Sequence, residues 1–328
     1  MVALPLLLDR WRLGRYGGVM SNALPATEFS WMPEPASGIT TRFVEANGQR
    51  FELAEAGDAT LPKLAILLHG FPELNFSWRH QMPVLAAKGW SVWAPNMRGY
   101  GASSKPEGIA AYRIDTLLQD VAALIDLAKA ENPATEVMLV AHDWGAIVAW
   151  AFAIRQVRPI DRLVIMNVPH PKCAEREIRK WRQLRKSWYI FFFQIPWLPE
   201  RLLLARYARA VRAAFTGTAA NKGNFSPEAL AVYANAAQRP GAMTAMLNYY
   251  RALLRLPDIG NVGDGMVQAD TLVIWGENDQ ALDIHLLDGM EQWVPRLTLH
   301  RLPGISHWVQ QDAPEQVNAL LVDWVSAK

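Results

Sequence analysis

The sequence predicts an α/β fold with a mostly parallel central sheet, antiparallel strands at its N-terminal side and a helical lid inserted after the sixth strand. Three observations predict it. Leu64–Leu68, Val137–Ala141, Leu163–Asn167 and Thr271–Trp275 are short, nearly unbroken apolar runs, as parallel strands covered on both faces require. Patterns of helical period separate these runs. Between Lys172 and about Met266 the strand signal stops, and helix formers mixed with Trp, Tyr, Phe and Arg take over.

The elements follow in order. Thr41–Ala46 and Gln49–Ala56 read as a hairpin turned at Asn47-Gly48. Leu64–His69 and Ser91–Pro95 are the next two strands. Asp115–Ala130 carries apolar residues at helical spacing (Leu117, Leu118, Val121, Leu124, Ile125, Ala128), and Gly145–Arg155 reads as a second helix. After the insertion a strand resumes at Thr271–Gly276, another at Arg296–Leu302, and a helix runs from about Pro314 to Ser326. The implied division is an N-terminal extension over 1–40, a core over 41–171 and 267–328, and a lid over 172–266.

Composition narrows the function classes. The 328 residues are 51% hydrophobic and 20% charged, the balance of a folded globular protein. Thirty-three basic residues against 31 acidic leave a net charge of +2, too little overall field to gather nucleic acid or a membrane surface. Cys173 is the one cysteine, so an internal disulfide or a cysteine metal cluster is excluded and a cytoplasmic location is expected. The apolar run Val2 to Leu8 precedes Arg10, Arg12 and Arg15, the reverse of a secretory signal, and Met20 is an alternative start. No run of about 20 apolar residues predicts a membrane span.

Ala141-His142-Asp143-Trp144-Gly145-Ala146 lies where a buried strand runs into a helix, with small residues on both sides of the acid. A sharp turn that lifts one side chain above a sheet needs such neighbours, which makes Asp143 a candidate nucleophile in an elbow. The competing reading is an Asp that caps the following helix. No G-x-S-x-G occurs, which argues against a serine esterase or lipase. Downstream, Gly276-Glu277-Asn278-Asp279 and Gly304-Ile305-Ser306-His307 each follow a strand, so the order is nucleophile, acid, histidine. Asp283 is the nearest substitute for Asp279. His69-Gly70-Phe71-Pro72 ends the first central strand, where a peptide N–H completes an oxyanion hole, and the N–H groups of Phe71 and Trp144 are assigned to it. Phe71-Pro72 is a candidate cis bond. His69, His80 and His142 read as packing histidines.

His69-Gly-Phe-Pro-Glu-Leu-Asn-Phe-Ser-Trp-Arg-His-Gln81, Arg98-Gly-Tyr-Gly-Ala-Ser-Ser104, His142-Asp-Trp-Gly145 and Asn248-Tyr-Tyr-Arg251 together resemble the epoxide hydrolases of the α/β-hydrolase fold, from about Phe43 to the C-terminus. The resemblance implies hydrolysis of a small apolar epoxide by water through an alkyl-enzyme ester on Asp143, with His307 and Asp279 as base and orienting acid. It also implies two lid tyrosines opposite the aspartate. Tyr250 matches one, with Tyr249 as its competitor; Tyr189 matches the other by its place before Phe193-Gln194-Ile195-Pro196. Phe71, Trp144, Trp188, Phe192 and Trp308 are expected around the substrate, and the lid arginines are expected to be solvated faces. No metal, organic cofactor or nucleic acid is called for, and a monomer or a homodimer is compatible with the sequence. The rivals are a haloalkane or haloacid dehalogenase of the same fold and a ligand-binding protein without turnover. Haloalkane dehalogenases carry Asn where this chain has Phe71, and fluoroacetate dehalogenases carry arginines at the places of Trp144 and Ile147.

Overall fold

Successive side chains of a strand point to opposite faces, so an unbroken apolar run builds two cores at once. Leu64, Ile66 and Leu68 enter one core with Val137, Leu139 and Ala141, while Ala65 and Leu67 enter the other with Met138 and Val140. The computed structural model describes residues 28–132, 134–256 and 263–327. The expectations for the first 19 residues lie outside them.

The eight strands are β1 (Ile39–Ala46), β2 (Gln49–Ala56), β3 (Lys63–Leu68), β4 (Ser91–Pro95), β5 (Glu136–His142), β6 (Arg162–Met166), β7 (Asp270–Gly276) and β8 (Leu297–Leu302). They form one sheet in the order β1-β2-β4-β3-β5-β6-β7-β8. β1 pairs antiparallel with β2, and β2 antiparallel with β4; every other pairing is parallel. Asn47 and Gly48, both at positive φ (49° and 65°), close the first hairpin, the conformation a two-residue turn requires. β1 begins at Ile39, and Trp31 is already buried, its indole donating to Asn75 Oδ1 at 2.7 Å. The chain therefore joins the core about ten residues before the expected boundary at 40.

α1 (Met82–Ala87), α2 (Ile114–Glu131) and α3 (Trp144–Ile154) connect the first strands. Between β6 and β7 run α4 (Pro171–Glu177), α5 (Trp181–Lys186), α6 (Trp188–Phe192), α7 (Leu198–Thr218), α8 (Pro227–Ala237) and α9 (Ala242–Arg255). The backbone of α7 is non-helical at Ala205, Arg206, Tyr207 and Ala208. α10 (Val309–Asp312) and α11 (Pro314–Ser326) end the chain. Among the described residues no helix is long and apolar enough to cross a membrane.

Because β3, β5, β6, β7 and β8 run parallel, the loops after them leave one edge of the sheet, which places His69–Pro72, Asp143, Asn167, Asp279 and His307 together. The turn from β5 into α3 is tight enough that a Cβ on Gly145 would lie 2.2 Å from the carbonyl oxygen of Leu68. Backbone of β3 cannot retreat without breaking its pairing to β5. Gly145→Ala is expected to lower stability by about 1–3 kcal/mol or more, as overpacking does, read as a lower midpoint in urea unfolding. An unchanged midpoint would contradict this account of the turn.

Candidate active site

Asp143 occupies the residue between β5 and α3 with φ 48° and ψ −121°, a backbone conformation that L-residues rarely adopt. It stands at the N-cap position of α3 but makes no side-chain capping bond, so the capping reading fails. Its carboxylate points instead across the edge of the sheet. A Cβ on Gly70 would sit 2.3 Å from Asp143 Cβ, so the loop after β3 approaches this closely only because position 70 has no side chain. The approach lets the Phe71 N–H donate to Asp143 Oδ1 at 2.7 Å. The Phe71-Pro72 bond is cis.

His307 bridges two acids. Its Nε2 lies 3.5 Å from Asp143 Oδ2, and its Nδ1 lies 2.6 Å from Asp279 Oδ2. Asp279 Oδ1 accepts the N–H groups of Ala281 (2.7 Å) and Leu282 (2.8 Å), and Asn167 Nδ2 donates to Oδ2 at 2.8 Å. Asp283 instead caps the 3₁₀ turn that follows it, accepting from the His285 N–H, and is not the acid that reaches His307. Burial alone would raise the pKa of both Asp143 and Asp279. For Asp143 the hydrogen bond and charge of His307 outweigh it, and for Asp279 the charge and hydrogen bond of His307 together with Asn167 do so; both fall below the ordinary carboxylate value. Burial would likewise lower the His307 pKa, but the charge of Asp279 and the hydrogen bonds to Asp143 and Asp279 push it up to about 10. The three groups therefore share one positive and two negative charges.

A cavity of about 250 Å³ opens above Asp143. Asp143, His307, Tyr189 and Tyr250 line it among mostly apolar side chains that include Trp144, Ile147, Val168, Ile178, Leu253 and Leu282. The rings of Tyr189 and Tyr250 meet edge to face at 5.9 Å. Burial, then the negative charge of Asp143, hold both phenols above their ordinary pKa, so each remains a neutral O–H donor. Tyr249 is spent elsewhere: its hydroxyl donates to the Arg98 carbonyl at 2.8 Å, and its ring packs among Tyr100, Tyr112 and Trp144.

Four of the five expected pocket residues lie away from the cavity. Trp188 and Phe192 are one helical turn apart on α6, their rings tilted to each other with centroids 6.0 Å apart; the same helix turns Tyr189 and Ile190 inward, so Trp188 is left exposed. Trp308 lies beneath His307, its indole donating to Thr218 Oγ1 at 2.8 Å and its ring against Phe215. Phe71 does not line the cavity either; its ring backs Tyr250 and Phe193. Trp144 does line it.

The alpha/beta hydrolase fold family matches residues 64–314. The chain is 34% identical to epoxide hydrolase 2 of Caenorhabditis elegans over 90% of this chain and 82% of that one. It is 32% identical to human epoxide hydrolase 4, over 96% of this chain and 87% of that one. A crystal structure of Bacillus megaterium epoxide hydrolase in complex with an inhibitor superposes with a TM-score of 0.76 at 28% identity, covering 87% of this chain and all of that one. The chain belongs to the epoxide hydrolases of the α/β-hydrolase fold.

Beneath the site of this family member lies a polar network that no sequence motif announced. Glu73, fully buried, accepts from Gly70 N–H at 3.0 Å, Gln310 Nε2 at 2.8 Å and Gln311 Nε2 at 2.9 Å, and its Oε2 lies 2.7 Å from His142 Nδ1. With its acceptors filled by donors, Glu73 is ionised; burial opposes this, and the charge and hydrogen bond of His142 overcome it, lowering the pKa. The other ring nitrogen of His142 faces the carbonyl oxygen of His307 at 2.8 Å, which only an N–H can satisfy. His142 thus ties the loop carrying Phe71 to the loop carrying His307 through hydrogen bonds at both ring nitrogens, more than the packing residue expected. His69 does pack: its Nε2 accepts from the Met97 N–H, and burial lowers its pKa to about 4.

The shared charge at the triad has a measurable consequence. Replacing Asp143 by Asn removes one of the two carboxylates facing His307 and most of that hydrogen bond's charge, so the His307 pKa is expected to fall. Imidazole nitrogen NMR of the two proteins across a pH series checks this, and an unshifted titration would contradict the assignment of Asp143 as a partner of His307.

Proposed function

We propose that this chain hydrolyses small apolar epoxides to vicinal diols through a covalent ester on Asp143. The observation that carries the reading is an ionised carboxylate set across an apolar cavity from two neutral phenols. A carboxylate needs no base to attack an epoxide carbon, and the lowered pKa of Asp143 keeps it ionised. As the C–O bond breaks, oxygen gains negative charge, and the hydroxyls of Tyr189 and Tyr250 donate to it there. Neutral donors suit this place, since a charged acid would neutralise the nucleophile opposite. The helical insertion that contributes both tyrosines acts as the lid.

Ester formation then changes His307. Asp143 loses its charge when it is alkylated, and with it goes part of what holds the imidazolium proton. That proton passes to the alkoxide, leaving His307 neutral and oriented by Asp279. The imidazole takes a proton from water as the oxygen attacks the ester carbonyl carbon. The Phe71 N–H, already 2.7 Å from Asp143 Oδ1, stabilises the resulting oxyanion together with the Trp144 N–H at the start of α3. Collapse releases the diol and restores the Asp143 carboxylate beside protonated His307, so the charges return to their starting arrangement. Water and the epoxide are the only reactants in this scheme.

The tyrosine assignment is tested by Tyr189→Phe and Tyr250→Phe. Each single change is expected to slow epoxide opening by roughly 10²–10³, the loss typical of one such donor, and the pair together to leave almost no alkylation of Asp143 in single-turnover kinetics. Thermal unfolding stays near that of the parent because Phe keeps the ring volume. Near-full turnover in the double variant would contradict the donors. Release of halide from haloalkanes by the unmodified chain, with no diol from any epoxide, would contradict the reaction.

A further inference from the structure

The net charge of +2 conceals a strong asymmetry. Residues 172–218 hold 11 lysines and arginines against three acids, Glu175, Glu177 and Glu200, while the rest of the chain holds 22 against 28. The same segment exposes apolar side chains at helical intervals: Ile178, Trp181, Leu184, Trp188, Phe191 and Ile195. Trp181 is 72% exposed, Phe191 58% and, just beyond, Trp197 62%. Arg179, Arg182 and Arg185 are exposed among them, and none of the three forms an ion pair among the described residues, whereas Lys172, Arg176 and Lys180 are matched to Glu175 and Glu177. The buried side of the segment is formed by Cys173, Glu177, Gln183, Ser187 and Phe193. One face packs; the other offers aromatic and cationic groups to solvent.

We propose that this outward face is a docking surface for anionic phospholipid bilayers, and that the cavity draws epoxides dissolved in the lipid. Exposed apolar side chains set among unmatched cations describe the face that amphipathic helices lay into a membrane interface, where tryptophan is favoured and each basic residue gains from anionic headgroups. Charge decides against a second copy of the chain, because two such faces would bring like charges together. The cavity supplies the link to catalysis. Ile178 both belongs to the exposed stripe and lines the cavity, so an apolar substrate passes from one to the other without crossing water. The substrate class rests on the epoxide reading; the docking surface does not.

The test uses the full chain and vesicles of phosphatidylcholine with and without phosphatidylserine, with binding read by co-sedimentation. Binding is expected to the phosphatidylserine vesicles, to weaken with added salt, and to fall at least about tenfold in Arg179→Glu/Arg182→Glu/Arg185→Glu. Trp181→Ala/Phe191→Ala is expected to weaken it as well. Neither variant should change turnover of a water-soluble epoxide in vesicle-free buffer, which also shows that both fold. Equal binding to neutral vesicles, no binding to anionic ones, or binding untouched by both variants overturns the proposal. So does a dimer that Trp181→Ala/Phe191→Ala dissociates, which would give the face to a second copy. Polyglutamate binding that equals vesicle binding and ignores the aromatic variant would give it to an acidic protein. Because vesicle binding is read without substrate, a chain that docks but makes no diol overturns only the reaction, and one that makes diol but does not dock overturns only the surface.

Discussion

A carboxylate at the floor of an apolar cavity is stable as a charge only where donors and a counter-charge compensate for the water it lost. Asp143 is held under that constraint, and most of the surrounding structure answers it. The Phe71 N–H and the His307 imidazolium supply the compensation. Each must be delivered from a different strand end, so the parallel sheet is what makes the arrangement possible. The glycines at 70 and 145 let the backbones come close enough, and the positive φ of Asp143 turns the side chain toward them.

Compensation of one charge creates further demands. His307 needs a second acid, and Asp279 in turn needs Asn167 and two backbone N–H groups to remain ionised where it is fully buried. Below them Glu73 and His142 form a second buried pair, whose hydrogen bonds reach Gly70 N–H and the His307 carbonyl. Removing one member of such a pair leaves the polar atoms of the other buried without a partner, a loss of about 1–3 kcal/mol in comparable interiors. The two loops that meet at Asp143 are thereby fixed relative to one another before any substrate arrives, which is the preorganisation that stabilisation of a developing oxyanion depends on.

Much of this was legible in the sequence because the constraints are local. Both-face burial writes strands such as Val137–Ala141 as unbroken apolar runs, and a sheet-to-helix elbow demands small residues beside Asp143. The network was not legible, because its partners are remote: Glu73 meets His142 across 69 positions, and Asn167 meets Asp279 across 112. A buried Glu or Asn carries no periodicity that separates it from a solvated one. The places of Phe71, Trp188, Phe192 and Trp308 outside the cavity were not legible for a related reason. Aromatic content says that an insertion is apolar, but only packing decides which side of a five-residue helix turns inward. Overall composition also averaged away the positive charge concentrated in residues 172–218.

The proposed reaction depends on a covalent bond between Asp143 and the substrate, and oxygen isotopes report on it directly. In a single turnover in heavy-oxygen water, with enzyme in excess over epoxide, water attacks the ester carbonyl and the diol takes its new oxygen from the original carboxylate. The diol is then expected to carry almost no label, and the peptide containing Asp143 to gain it. A first diol carrying the full label, with Asp143 unlabelled, would mean that water attacks the epoxide itself and would contradict the central claim.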